Sequence, residues 1–151
     1  MSMSTMFGLG LAVSLPEAKV WAFMGDGAFC MNPGMLMVEK EVDPPNLIHI
    51  LMSNRHYGAT GNQRVPNKTA NDYVAMARAV GIERAFKYDR LEDLESRFDA
   101  EVLGNKPAYA FVVMEIEPET GKLERCPIDG PELKYAFGRY IERTFNKRVF
   151  K

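Results

Sequence analysis

The chain has 151 residues, 46% of them hydrophobic and 26% charged, with 19 basic and 20 acidic side chains and a formal net charge of −1. That length suits a single domain over residues 1–151 with a real core, and the composition is not that of a disordered chain. Balanced charge gives no basis for a nucleic-acid or membrane-surface partner, no apolar run is long enough to span a bilayer, and the N-terminal stretch lacks the basic lead of a secretory signal. A cytoplasmic protein is expected, and its two cysteines, Cys30 and Cys126, are expected to be free structural thiols, since they form neither a CxxC pair nor a cluster-binding set.

In chain order, the pattern predicts a first helix over Thr5 to Ser14, closed near Pro16. The apolar run Val20–Met24 reads as a strand covered on both faces, leading to Gly25-Asp26-Gly27. A short helix follows over Met35–Val42 and is stopped by Asp43-Pro44-Pro45. "NLIHILMSN" at 46–54 is a second apolar strand, with His49 expected as a packed core residue. "RHYGATGNQRVPNK" is a long polar loop of the kind that carries function. Asn71 or Thr69 is expected to cap a helix through "YVAMARAVG", with Gly81 as its stop. A short strand at Phe86–Tyr88 precedes an amphipathic helix over 90–103, then a buried strand, "YAFVVMEI", at 109–116. After a loop, Pro131 starts a last helix reaching about Phe145. This alternation predicts an α/β fold, a doubly wound and mostly parallel sheet with helices on both faces. The chain opens on a helix, so the first strand of such a sheet is expected to be absent. The methionines cluster early, as either core filling or an adaptable subunit contact. Glu39, Glu41 and the cluster Glu92-Asp93-Glu95 are expected on solvated helix faces.

Asp26 and Asn54 each stand at the carboxyl end of an apolar strand, 28 positions apart, room for a strand, a crossover helix and a return strand. Adjacent parallel strands would bring both to the sheet edge where open α/β folds bind ligands. A carboxylate, an amide oxygen and a loop carbonyl are hard oxygen donors suited to Mg²⁺ or Ca²⁺, and turn glycines leave N–H groups free to face phosphate. Asp26 as a mere turn or helix-capping residue is the competing explanation.

"GDGAF" followed by "SNRHYG", with "GLGLAVSLPEAKVWAFMGDG" upstream and "YGATGNQ" downstream, resembles the diphosphate-binding domain of thiamine diphosphate-dependent enzymes over about residues 2–117. The split-chain members are the nearest in pattern, above all the sulfopyruvate and phosphonopyruvate decarboxylase group. The resemblance implies thiamine diphosphate and Mg²⁺ as cofactors, with Asp26, the Asn54 side chain and the His56 backbone carbonyl as metal ligands. It implies that Gly25, Gly27 and Ala28 line the diphosphate and that Tyr57 and Gly58 continue the loop beside it. It also implies a diphosphate- and metal-binding subunit of a heteromeric 2-oxo acid decarboxylase. No catalytic residue is expected in this chain, because the activating Glu would come from a pyrimidine-binding partner subunit. Alternatives are the β subunit of a 2-oxo acid oxidoreductase, whose GDGD motif and cluster cysteines this chain lacks, or a degenerate assembly module of the same fold. A dinucleotide-binding domain would need a GxGxxG turn after its first strand, and none is present.

The sequence departs from that family pattern at several places. Ser53 stands where Asn is usual, Arg55 where Gly is common, and Asn62 where TGGQ has Gly, which bears on Gln63. For Arg55, closing the loop and reaching a substrate carboxylate are the two roles to separate.

Overall fold

A computed structural model describes residues 2–104, 106–118 and 127–151 of the chain, in two compact units, residues 1–119 and 120–151. The first unit runs α1 (Ser4–Ser14), β1 (Val20–Gly25), α2 (Asp26–Cys30), α3 (Met35–Val42), β2 (Leu47–Ser53), β3 (His56–Tyr57), β4 (Gln63–Arg64), α4 (Tyr73–Ala79), β5 (Ala85–Tyr88), α5 (Leu91–Phe98) and β6 (Ala110–Glu115). Four strands form a parallel sheet in the order β1-β2-β6-β5, and β3 and β4 make a small antiparallel hairpin. This is the mostly parallel α/β architecture expected.

Side-chain alternation divides the core into two layers, one on each face of the sheet. Ala22, Met24, Leu47, Leu51, Phe111 and Val113 face α1 to α4, which contribute Leu9, Phe29, Leu36 and Ala77 among others. Ile48, Ile50, Val112 and Tyr88 face the other way, onto Leu94 and Phe98 of α5 and Val102 just beyond it. Leu47, Ile50 and Leu51 lose all solvent contact, each stabilising the fold by about 1.5–3 kcal/mol. Burial on both faces holds for β2 and β6 but not for β1. As an edge strand, β1 leaves Trp21 and Phe23 exposed on one face.

Two further expectations need correction. The helix after the long loop is capped by Asp72, whose Oδ1 accepts the Ala75 N–H at 2.9 Å, not by Asn71 or Thr69. The segment at 90–103 is α-helical only to Phe98 and continues as a π-helical turn over Asp99–Leu103. The early methionines divide, with Met24 and Met35 buried and Met3, Met31 and Met37 exposed.

α1 lies so close to β1 that a Cβ at Gly8 would sit 2.7 Å from the Cβ of Ala22. Overpacking of that kind costs about 1–3 kcal/mol, more than the ~1 kcal/mol that alanine gains over glycine in a helix. At Gly10, by contrast, a Cβ meets nothing within 4 Å. Thermal unfolding should therefore show Gly8→Ala melting below the wild type and Gly10→Ala at or above it.

The second unit contains α6 (Gly130–Phe145), capped by Asp129, which accepts the Glu132 N–H at 2.9 Å, with Pro131 in the first turn. After Asn146 in the left-handed region, the chain turns back so that the Val149 and Phe150 N–H groups both donate to Glu142 at 3.0 Å. Those two bonds, with Arg139, hold the Glu142 carboxyl down at about 2. Cys126 and most of the loop before this helix lie outside the described residues.

Candidate functional site

Parallel pairing brings the carboxyl ends of β1, β2 and β6 to one edge. Gly25 is level with Met52, and Ser53 is level with Glu115. Asp26 is the first residue of α2, a helix of five residues whose capping position is Gly25, so it stands one residue inside the helix that the sequence allowed it to cap. It is 1% exposed.

Four donors converge on its carboxylate. Oδ1 accepts the Gly27 N–H at 2.9 Å. Oδ2 accepts the Arg55 N–H at 2.9 Å, the Ser53 hydroxyl at 3.3 Å and the Tyr73 hydroxyl at 3.4 Å. Each of these groups is neutral. Burial pushes the Asp26 carboxyl above its ordinary value, against the pull of those hydrogen bonds and of the Arg55 charge. Burial likewise raises the Tyr73 hydroxyl and the Cys30 thiol, which lie 3.7 Å apart behind the carboxylate.

Asn54 lies between Ser53 and Arg55, two residues that both touch Asp26, so the two strand ends do meet as expected. Its Oδ1 accepts the His56 N–H at 2.9 Å, which leaves that oxygen a second lone pair. His56 Nδ1 donates to the Asn54 carbonyl at 2.8 Å, and Nε2 faces Lys68 Nζ at 3.3 Å. A carbonyl can only accept, so the ring proton sits on Nδ1 and Nε2 accepts from the ammonium. With both nitrogens engaged, the imidazole is held in place.

Gly27 supports the Tyr57 ring, to which a Cβ at that position would approach within 2.7 Å. Gly25, Ala28 and Gly58 lie on the two segments that frame the site, and a Cβ at Gly25 would meet open space. Asn62 sits in the left-handed region at φ 62°, a conformation asparagine tolerates better than most residues.

Arg55 is also left-handed, at φ 62°, at a cost of about 1–2 kcal/mol. Its guanidinium forms an ion pair with Glu115 through Nη2 and Nε, the latter at 3.0 Å, and donates to the Lys68 and Asn71 carbonyls at 3.3 and 2.9 Å. Arg55 therefore closes the loop in this structure.

Ser53, Tyr73 and Glu115 were not picked out as site residues from the sequence. Glu115 carried the same signal as Asp26, a carboxylate at the end of an apolar strand. Tyr73 carried none.

Among the described residues no three His, Cys, Asp or Glu side chains converge on a cation position. A cation here would depend on one carboxylate with amide and backbone oxygens, a donor set of the hard kind Mg²⁺ accepts. The buried carboxylate, touched by neutral donors, fits that role.

An open parallel sheet with an acidic turn and an amide loop at its carboxyl edge defines an α/β ligand-binding domain. The family model "Thiamine pyrophosphate enzyme, C-terminal TPP binding domain" matches residues 1–114, and the chain belongs to that family. It is 29% identical over 144 residues to the sulfopyruvate decarboxylase subunit beta of Methanocaldococcus jannaschii, covering 95% of this chain and 74% of that one. The same subunit of Methanothermobacter thermautotrophicus is 32% identical over 133 residues, 88% of this chain and 67% of that one. Among solved structures, benzoylformate decarboxylase from Polynucleobacter necessarius shares the fold, with a TM-score of 0.60 at 22% identity over 80% of this chain and 24% of that one. No helix among the described residues is long and apolar enough to cross a membrane.

Proposed function

We propose that this chain is the diphosphate- and metal-binding subunit of a heteromeric, cytoplasmic thiamine diphosphate-dependent decarboxylase acting on a 2-oxo acid of the sulfopyruvate or phosphonopyruvate kind. The observation that carries the proposal is the Asp26 carboxylate, 1% exposed and met by neutral donors, beside the Asn54 amide at the carboxyl edge of the sheet. Asp26, the Asn54 side chain and the His56 backbone carbonyl would hold Mg²⁺. The turn at Gly25, Gly27 and Ala28 would receive the diphosphate, flanked by Tyr57 and Gly58. When bound, thiamine diphosphate supplies a nucleophilic thiazolium carbon and the electron sink that decarboxylation requires.

This chain's own share is binding and orientation. The buried carboxylate provides fixed negative charge for the cation, and the two strand ends set the spacing between carboxylate and amide. An acid that activates the cofactor's pyrimidine is assigned to a partner subunit, and the similarity to proteins named as subunit beta supports a partner of that kind.

Calorimetric titration of thiamine diphosphate with Mg²⁺, into the chain alone and with its partner, tests the reading. Metal-dependent binding is expected, with turnover of sulfopyruvate or phosphonopyruvate only when the partner is present. Decarboxylation by the isolated chain would refute the division of labour, and an absence of binding under both conditions would refute the cofactor.

A further inference from the structure

Glu115 at the end of β6 is the second carboxylate of this edge. Ser53 Oγ lies 2.9 Å from Glu115 Oε2 and 3.3 Å from Asp26 Oδ2, so one hydroxyl bridges the two acids with a single proton to give. Arg55 meets one of those acids with its own charge. Its Nε and Nη2 grip the Glu115 carboxylate in a fork, and Lys87 Nζ adds a weaker contact at 3.8 Å. The same guanidinium reaches two carbonyls of the following loop through Nη1 and lies 4.9 Å from the centre of the Tyr73 ring. With the fork committed to Glu115, the guanidinium has no bidentate face left for a substrate carboxylate. Meanwhile the backbone N–H of Arg55 donates to Asp26. One residue thus ties β2, β6, the loop at 68–71 and the Asp26 carboxylate together.

We propose that Arg55 and Glu115 are a positioning pair for the metal-binding loop. The fork fixes the left-handed turn at Arg55, on either side of which Asn54 and His56 stand, and so sets these two residues relative to Asp26. It also neutralises Glu115, so that Asp26 is the carboxylate left to take a cation. The pair replaces, by an ion pair to the neighbouring strand, the freedom that a glycine at position 55 would have supplied. The proposal rests on the metal site described above.

The test uses Arg55→Gly, Glu115→Gln and the double variant, each purified with its partner subunit. Mn²⁺ is titrated in the presence of thiamine diphosphate and followed by electron paramagnetic resonance, alongside thermal unfolding. Arg55→Gly removes the fork while relieving the backbone strain at φ 62°, so it is expected to fold. Glu115→Gln keeps the shape and loses the charge. Both should weaken Mn²⁺ by about 10–100-fold, the scale for losing an outer partner of a metal ligand. The double variant should be no weaker than the weaker single variant, because both remove one interaction. Lower melting with Mn²⁺ affinity within about twofold of wild type would reduce the pair to a fold-stabilising contact and overturn the proposal. Additive losses would overturn it as well. Wild-type protein that fails to bind Mn²⁺ would overturn the metal site along with the pair, whereas binding wild type with unaltered variants overturns the pair alone.

Discussion

Asp26→Asn is expected to lower Mg²⁺-dependent thiamine diphosphate affinity by more than about a hundredfold, beyond the range seen when only an outer partner of a metal ligand is lost. The substitution keeps the volume and removes the charge, and it exchanges one acceptor oxygen for an NH₂ group. Stability should respond quite differently. An NH₂ facing the Gly27 N–H costs about 1–3 kcal/mol as an unmatched buried donor. Burial, however, raises the Asp26 carboxyl above 3.8 in the folded state. A raised carboxyl favours folding below its unfolded value, and that contribution is lost as pH rises through the folded value, so at neutral pH the ionised group opposes folding. The neutral amide removes this penalty. The two effects act in opposite directions, so the unliganded variant should lose less stability than the unmatched donor alone would cost. Thermal unfolding with partner, Mg²⁺ and cofactor present separates the two consequences. Cofactor at a hundred times its dissociation constant should stabilise wild type by about 2.7 kcal/mol and leave the variant where it was. A variant that melts far lower yet keeps the ligand-induced shift would make Asp26 a structural turn residue.

The strand ends were legible because two apolar runs each stop at a residue that can serve as a ligand, and parallel pairing then forces Asp26 and Asn54 to one edge. The sheet itself was legible for the same reason, since β2 and β6 are predominantly apolar runs flanked by turns. Exposure of β1 was not, because Trp21 and Phe23 are as apolar as any buried strand residue and only the strand order makes β1 an edge. Asp72 lost out to Asn71 and Thr69 as the expected cap because all three are good caps within four positions, and the helix start alone distinguishes them. The contacts around Asp26 were beyond the sequence for a different reason. Tyr73 and Glu115 arrive from elements 47 and 89 positions further on, and only the completed sheet brings them in.

Glu39 was the clearest misreading, and its correction carries the largest expected effect on stability. It was expected on a solvated face, yet it is fully buried, because Met35, Leu36 and Glu39 form the inward stripe of α3. Its Oε2 lies 2.9 Å from His49 Nδ1 and accepts the Tyr109 hydroxyl at 2.6 Å. Among the described residues, Glu39 Oε1 and His49 Nε2 have no hydrogen-bond partner. Burial alone would raise the Glu39 carboxyl, but the hydrogen bond and charge of His49, joined by Tyr109, outweigh it and hold the group below 4.5. A lowered carboxyl stabilises the fold above its unfolded value and loses that contribution as pH falls through the folded one. Wild-type stability should therefore decline below about pH 4.5 by up to ~1.4 kcal/mol per pH unit from this group, and Glu39→Gln should flatten that limb. Glu39→Ala leaves His49 and Tyr109 buried without their acceptor and should cost about 3–5 kcal/mol by denaturant unfolding at neutral pH. Replacing all three by apolar residues of similar size, Glu39→Leu with His49→Leu and Tyr109→Phe, should recover most of that loss, because no buried polar group is then left unpaired. A triple variant as unstable as Glu39→Ala would mean that the cluster contributes net stability of its own, and the desolvation argument would fail.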